Sequence, residues 1–162
     1  MRQRLMAGRD GFSLIELVIV IALMAILVGG ISLSFNMLYS ADTKGTAYDI
    51  DNNLTSLKSR NMGSNKLMYM HLYRYSGDIY VDYTQEKSYT PTGDGELIGD
   101  SAVTLSCDGV VMSDGSVTTI GIQKKDGAFS EGPEQIRVSG DVGTSYVVYL
   151  IHDTGKHYVE EE

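Results

Sequence analysis

One carboxylate, Glu16, lies at the head of an apolar run that carries no other charge until Asp42. The residues leading into it are Gly11-Phe12-Ser13-Leu14-Ile15-Glu16. A small residue followed by an aromatic is a cleavage-like feature. The acid behind it is costly in lipid, about 2.5–3.5 kcal/mol on insertion scales. An inert anchor has no use for it, so Glu16 is a candidate functional residue that needs a partner. A lone buried carboxylate is expensive, whereas a paired and hydrogen-bonded one is tolerable.

The elements around this hexapeptide set its depth and orientation. Residues 1–11 hold three arginines and one aspartate. Basic residues beside an apolar segment stay cytoplasmic, which places the N-terminus inside and the bulk of the chain outside. An ordinary secretory signal has its cleavage site after the apolar stretch, with small residues in an A-x-A-like pattern. Here the distal end is Gly29-Gly30-Ile31-Ser32-Leu33-Ser34-Phe35, and apolar character continues to Leu38. From Leu14 to Leu33 there are about 20 residues, roughly 30 Å of helix, enough to cross a bilayer core. Read without Glu16 and Gly11-Phe12, this is a signal anchor for a soluble domain.

With those residues in place, the stretch Gly11-Phe12-Ser13-Leu14-Ile15-Glu16-Leu17-Val18-Ile19-Val20-Ile21 resembles the type IV pilin and type II secretion pseudopilin family. The resemblance covers the leader and N-terminal helix only. It implies that a membrane aspartyl prepilin peptidase cuts between Gly11 and Phe12 and methylates the new amino group of Phe12. It implies assembly with other pilin or pseudopilin subunits on an inner-membrane platform. Membrane lipid would surround the helix before assembly. Glu16 would then face the Phe12 ammonium of a neighbouring subunit. Many type IV pilins carry a kinking proline in this helix, but the prolines here are Pro91 and Pro133. Gly29-Gly30 could weaken the helix instead, by about 1 kcal/mol per glycine. That departure leans toward a pseudopilin or minor pilin. Tip-most minor pseudopilins of the family often lack the acid, so Glu16 argues against the extreme tip.

The implied domains are a cleaved leader at 1–11, a transmembrane or filament-core half-helix at 12–37, an amphipathic half at 38–62 and a β-rich head at 63–162. The hundred or so head residues suffice for one compact domain. The formal charge is -8, and losing the leader would make the remainder more acidic still. Such a surface argues against direct binding to nucleic-acid phosphates. Lys124-Lys125 ahead of Asp126-Gly127 reads as a hairpin tip. The single cysteine, Cys107, excludes an intramolecular disulfide. It ends an apolar stretch and reads as a small buried residue.

Ala47, Ile50, Leu54 and Leu57 recur at helical spacing and form one apolar stripe. Gly45 is a soft spot. Met62-Gly63-Ser64-Asn65 reads as the stop, with glycine in a left-handed cap. Period-two patterns follow at Leu67–Tyr75 and Asp78–Tyr83, joined by a Ser76-Gly77 turn. Thr90–Gly95 is a loop by composition. Further strands are expected at Ala102–Ser106, Val110–Met112, Val117–Gln123, Gln135–Ser139, Tyr146–Ile151 and His157–Glu160. Asp108-Gly109, Asp114-Gly115, Asp126-Gly127 and His152–Gly155 supply turns. The fold class is α+β and pilin-like: a long N-terminal helix, transmembrane in its first half, packed on an antiparallel β-sheet head. Its strand-rich character and late hairpins resemble minor pseudopilins of the GspH type.

The head offers little chemistry. His71 sits in a strand, and His152 and His157 flank a turn at an unpersuasive zinc spacing. No Gly-x-Ser-x-Gly elbow or HExxH is present. Asp108, Asp114 and Asp141 are calcium candidates only as isolated Asp-Gly turns, which hairpins explain. The eleven tyrosines could form a contact surface, but in strands half-buried packing accounts for them. No cofactor, metal or catalytic residue is expected. The leading reading is a filament subunit. The alternative is a membrane-anchored extracytoplasmic enzyme or binding protein that uses the helix only as a tether.

Overall fold

The computed structural model describes residues 13–140 and 143–162, without the side chains of residues 27–40. It is α+β, with helix α1 (Leu14–Gly63) and two antiparallel sheets. Contacts divide the chain into two units, Met1–Phe35 and Asn36–Glu162.

Within the second unit, α1 presents Thr43, Thr46, Ala47, Ile50, Asn53, Leu54, Leu57 and Asn61 on a buried stripe. The spacing of three and four residues keeps them on one face. Ala47, Ile50, Leu54 and Leu57 are fully buried, as their periodicity predicts. Polar stripe members are satisfied where they enter: the Thr46 hydroxyl donates to the Ile98 carbonyl at 2.9 Å. Gly45 stays exposed within the continuous helix.

The expected left-handed cap at Gly63 is not used. Gly63 is the last helical residue and has no positive φ. The chain is returned instead by Asn61. Its amide donates to the Met68 carbonyl at 2.8 Å, and its carbonyl accepts from the Met68 N–H at 2.7 Å. One side chain thus imitates a strand partner and ties the helix end to the start of the sheet.

The first sheet runs β3-β2-β1-β6-β7, from β1 (Tyr69–Tyr75), β2 (Asp78–Thr84), β3 (Glu96–Gly99), β6 (Val117–Ile122) and β7 (Phe129–Glu131). The second runs β10-β9-β8-β4-β5, from β4 (Val103–Cys107), β5 (Val110–Val111), β8 (Gln135–Gly140), β9 (Tyr146–Ile151) and β10 (Lys156–Glu161). Both sheets and the helix stripe meet in one apolar cluster that includes Ile50, Leu54, Leu72, Val81, Ile120, Leu105, Val138 and Val148.

Two hairpins close in two residues with positive φ at both: Ser76-Gly77 and Asp108-Gly109. This is the twist-compatible turn that Asp-Gly favours. Two strands escape the sequence pattern. β3 is short and flanked by glycines, and β7 is three residues wedged among Gly and Pro. Each joins its sheet through a register irregularity, at Ile79/Tyr80 and at Gly121/Ile122.

Candidate functional site

The candidate site begins where α1 begins. Ser13 precedes the first helical residue, and the Glu16 N–H reaches both the Ser13 carbonyl at 3.0 Å and its Oγ at 3.3 Å. Ser13-Leu14-Ile15-Glu16 is therefore the N-cap arrangement in which a hydroxyl caps the third helical N–H. Glu16 occupies the first turn, where the helix dipole favours an acid. Its side chain is exposed. Gly11 and Phe12 lie outside the described residues.

Around Glu16 every large apolar side chain among the described residues is open. Leu14 is 81% exposed and Val20 still 45%, with Leu17, Ile19, Leu23 and Ile26 between them. They lie on all sides of the helix, so no stripe is turned to a core within this unit. Ten large apolar side chains from Leu14 to Ile26 are left this way. At about 1.5–3 kcal/mol for each one buried, the gain exceeds the cost of one acid several-fold. Among the described residues no helix is long and apolar enough to cross a membrane. The span expected from Leu14 to Leu33 runs on into residues 27–40, whose side chains lie outside the description.

Residues 6–32 match the family model of the prokaryotic N-terminal methylation motif. The match supports a prepilin leader of the pilin or pseudopilin type. It spans Arg9, Gly11-Phe12 and most of the apolar run, and it ends before the head. A pilin-like protein processed by prepilin peptidase is the reading it supports. Comparison with curated proteins and with solved structures gives no match.

The head residues singled out in the sequence are dispersed. Asp108 Oδ1 accepts from the N–H groups of Glu134 and Gln135, at 2.9 and 3.0 Å, and clasps one hairpin to the next strand. Asp114 Oδ1 accepts from the Gly77 N–H at 3.1 Å. Asp141 lies outside the described residues. Among the described residues no group of three or more His, Cys, Asp or Glu side chains could hold a metal ion.

His152 and His157 flank Phe129, with centroids 5.9 and 6.2 Å away, but take different partners. His152 Nε2 meets the Pro133 carbonyl at 3.2 Å, and His157 Nε2 meets the Thr55 hydroxyl at 3.0 Å. Cys107 is half-buried, not enclosed as expected. Its Sγ accepts from the Thr118 hydroxyl at 3.4 Å. Burial pushes the thiol pKa up, which disfavours the reactive thiolate. Lys124 donates to the Asn65 carbonyl, so that lysine is tied down rather than freely solvated.

Tyrosines divide between both roles. Tyr73 is fully buried and Tyr146 nearly so, while Tyr48, Tyr75 and Tyr158 are 40–48% exposed. Tyr83 bridges helix and sheet, donating to Asn53 Oδ1 at 2.6 Å with the Arg60 guanidinium 4.5 Å over its ring. Its pKa is pushed up to about 12, first by burial, with Arg60 opposing. His71 was placed in a strand by pattern alone. The polar network around it has no motif by which a sequence could announce it.

Proposed function

We propose that this chain is a non-catalytic filament subunit, a minor pilin or pseudopilin, cut between Gly11 and Phe12 and assembled through its N-terminal helix. The observation that carries the reading is a helix start whose apolar side chains lie open on all sides within its own unit, inside the residues that match a methylation motif. Such a surface calls for lipid first and neighbouring helices later. Glu16 is the residue we assign to the assembly contact, with the Phe12 ammonium of an adjacent subunit as its partner. Before assembly the chain is a single-pass inner-membrane protein with its N-terminus inside. Afterwards the head belongs to a periplasmic or extracellular filament. The domain limits follow: leader 1–11, core half-helix 12–37, amphipathic half 38–62, head 63–162. The strand-rich head favours a minor subunit resembling the GspH type.

The test is the mass and N-terminal sequence of the mature chain from cells that hold the peptidase. N-methyl-phenylalanine at Phe12 is expected, and Gly11→Val should accumulate as precursor. An intact Met1 in membrane-inserted protein would return the helix to the role of a tether.

A further inference from the structure

The loop from β2 to β3, residues 85–95, covers the outer face of the first sheet. Along β1, Met70 and Leu72 join the apolar core. His71 and Tyr73 alternate to the other face, yet both are fully buried. β1 is the central strand, so only a cover from outside the sheet can bury them. The Tyr89 ring supplies it, stacked on His71 at 4.6 Å and 11°, and 5.1 Å from Tyr73. The cover is fastened at three further points. The Tyr89 hydroxyl donates to Asp82 at 2.8 Å, the Gly95 N–H donates to the Tyr73 hydroxyl at 3.1 Å, and Lys87 pairs with Glu131 on β7 at 2.7 Å.

When the imidazole beneath is neutral, its partners favour one tautomer. Nε2 lies 3.1 Å from the Glu86 carbonyl, which can only accept, and 2.8 Å from the Thr84 hydroxyl, which itself donates to that carbonyl. In the neutral ring Nε2 therefore carries the proton, and Nδ1 lies 3.1 Å from the Thr119 hydroxyl, whose single proton can go to Nδ1 or to the Lys87 carbonyl. A second proton on Nδ1 turns this acceptor into a donor. Thr119 must then swing its proton to the Lys87 carbonyl, 3.3 Å away, while a cation is shut away from water. Asp82, opposite His71 in register, offsets part of that cost, and Tyr89 closes the other side. Lys87 and Glu131 face each other and largely cancel.

We propose that residues 85–95 form an acid-released cover, with His71 as its sensor and the tyrosine-lined face of the first sheet as the surface it uncovers. Burial holds the His71 pKa below its ordinary 6.5, against the opposing pull of the Glu86 carbonyl and Asp82. The closed form thus prefers neutral imidazole. Closure is fully favoured above pH 6.5 and weakens as pH falls from there toward the closed-state pKa. Each pH unit in that window can raise the open fraction by up to about tenfold.

The test is amide exchange at Gly95 in the full chain in detergent, corrected for intrinsic rate. Between pH 7.5 and 5.5 the wild-type opening should rise, by up to about tenfold. In His71→Gln it should not change with pH. A flat wild-type profile overturns the proposal, as does an equal rise in the variant, which would show that His71 is not the sensor. Should the variant fail to fold, the ring resonances of His71 in the wild type decide. A titration midpoint below 6.5 that coincides with opening supports the cover, and a midpoint at or above 6.5 overturns it.

Discussion

Gly155 offers the sharpest test of how the two sheets are joined. It ends the turn between β9 and β10 with φ +63, and its N–H closes that turn on the Ile151 carbonyl at 2.9 Å. A Cβ at this position would sit 1.7 Å from the Gly127 carbonyl oxygen and 2.6 Å from its carbon. Ordinary carbon–oxygen contacts lie near 3.3–3.6 Å, so one backbone must retreat by roughly 1.6–1.9 Å. The obstruction is main chain, and no rotamer relieves it. Two bonds depend on the same approach: the Phe129 N–H to the His152 carbonyl at 3.1 Å, and Lys58 Nζ to the Gly155 carbonyl at 3.2 Å. Left-handed alanine costs about 1–2 kcal/mol by itself. Losing both bonds adds about 1–3 kcal/mol, so Gly155→Ala should lose about 2–5 kcal/mol. Gly109 is the control, with φ +81 and nothing within 4 Å of an added Cβ. Gly109→Ala should lose only the conformational part, about 1–2 kcal/mol. Urea unfolding of both variants in detergent, followed by tyrosine fluorescence, compares them directly. Equal losses would refute the close-approach argument, because strain at positive φ would then explain both.

The helix terminus and the acid near its start give two further predictions. Asn61→Ala should destabilise by about 1–3 kcal/mol, since it removes the clasp on Met68 and leaves part-buried backbone groups unpaired; a loss below about 0.5 kcal/mol in the same unfolding assay would show that water replaces the amide freely. Glu16→Val should insert into membranes at least as well as wild type, with up to about 2.5–3.5 kcal/mol in its favour. It should nonetheless be depleted from sheared filaments, and wild-type levels there would contradict the pairing we propose.

Much of this molecule was readable where one physical rule dominates. The stripe Ala47-Ile50-Leu54-Leu57 needs only helical geometry, and the Asp108-Gly109 hairpin needs only the tolerance of those residues for positive φ. β3 and β7 were not legible because their residues are held by neighbours, through irregular register, rather than by their own alternation. The helix stop falls at Gly63, inside the stretch expected for it, but the way it is made was not legible, for a related reason. Gly63 has the right local chemistry for a cap, yet Asn61 does the work through a partner seven residues on. The same holds for His71. Its burial on the outer face of β1 depends on Tyr89 folding back over the sheet, and nothing local to Met70-His71-Leu72 foretells that.

Glu16 stands at the meeting of two demands that sequence and structure reveal separately. The sequence presents an acid costly enough in lipid to require a cation. The structure places that acid three residues after the capping Ser13, in a position where Glu or Gln completes a capping box equally well. Helix capping therefore explains a polar residue here but not the charge. An intermolecular ammonium explains the charge but not why it sits in the first turn. The two roles separate in Glu16→Gln, which keeps a side-chain oxygen able to accept a hydrogen bond and discards the charge. If that variant enters filaments as the wild type does, capping is the whole role and the Phe12 partner is unnecessary. If it is depleted as severely as Glu16→Val, the charge is what assembly reads. The cap is then the device that fixes where along the helix the charge is presented.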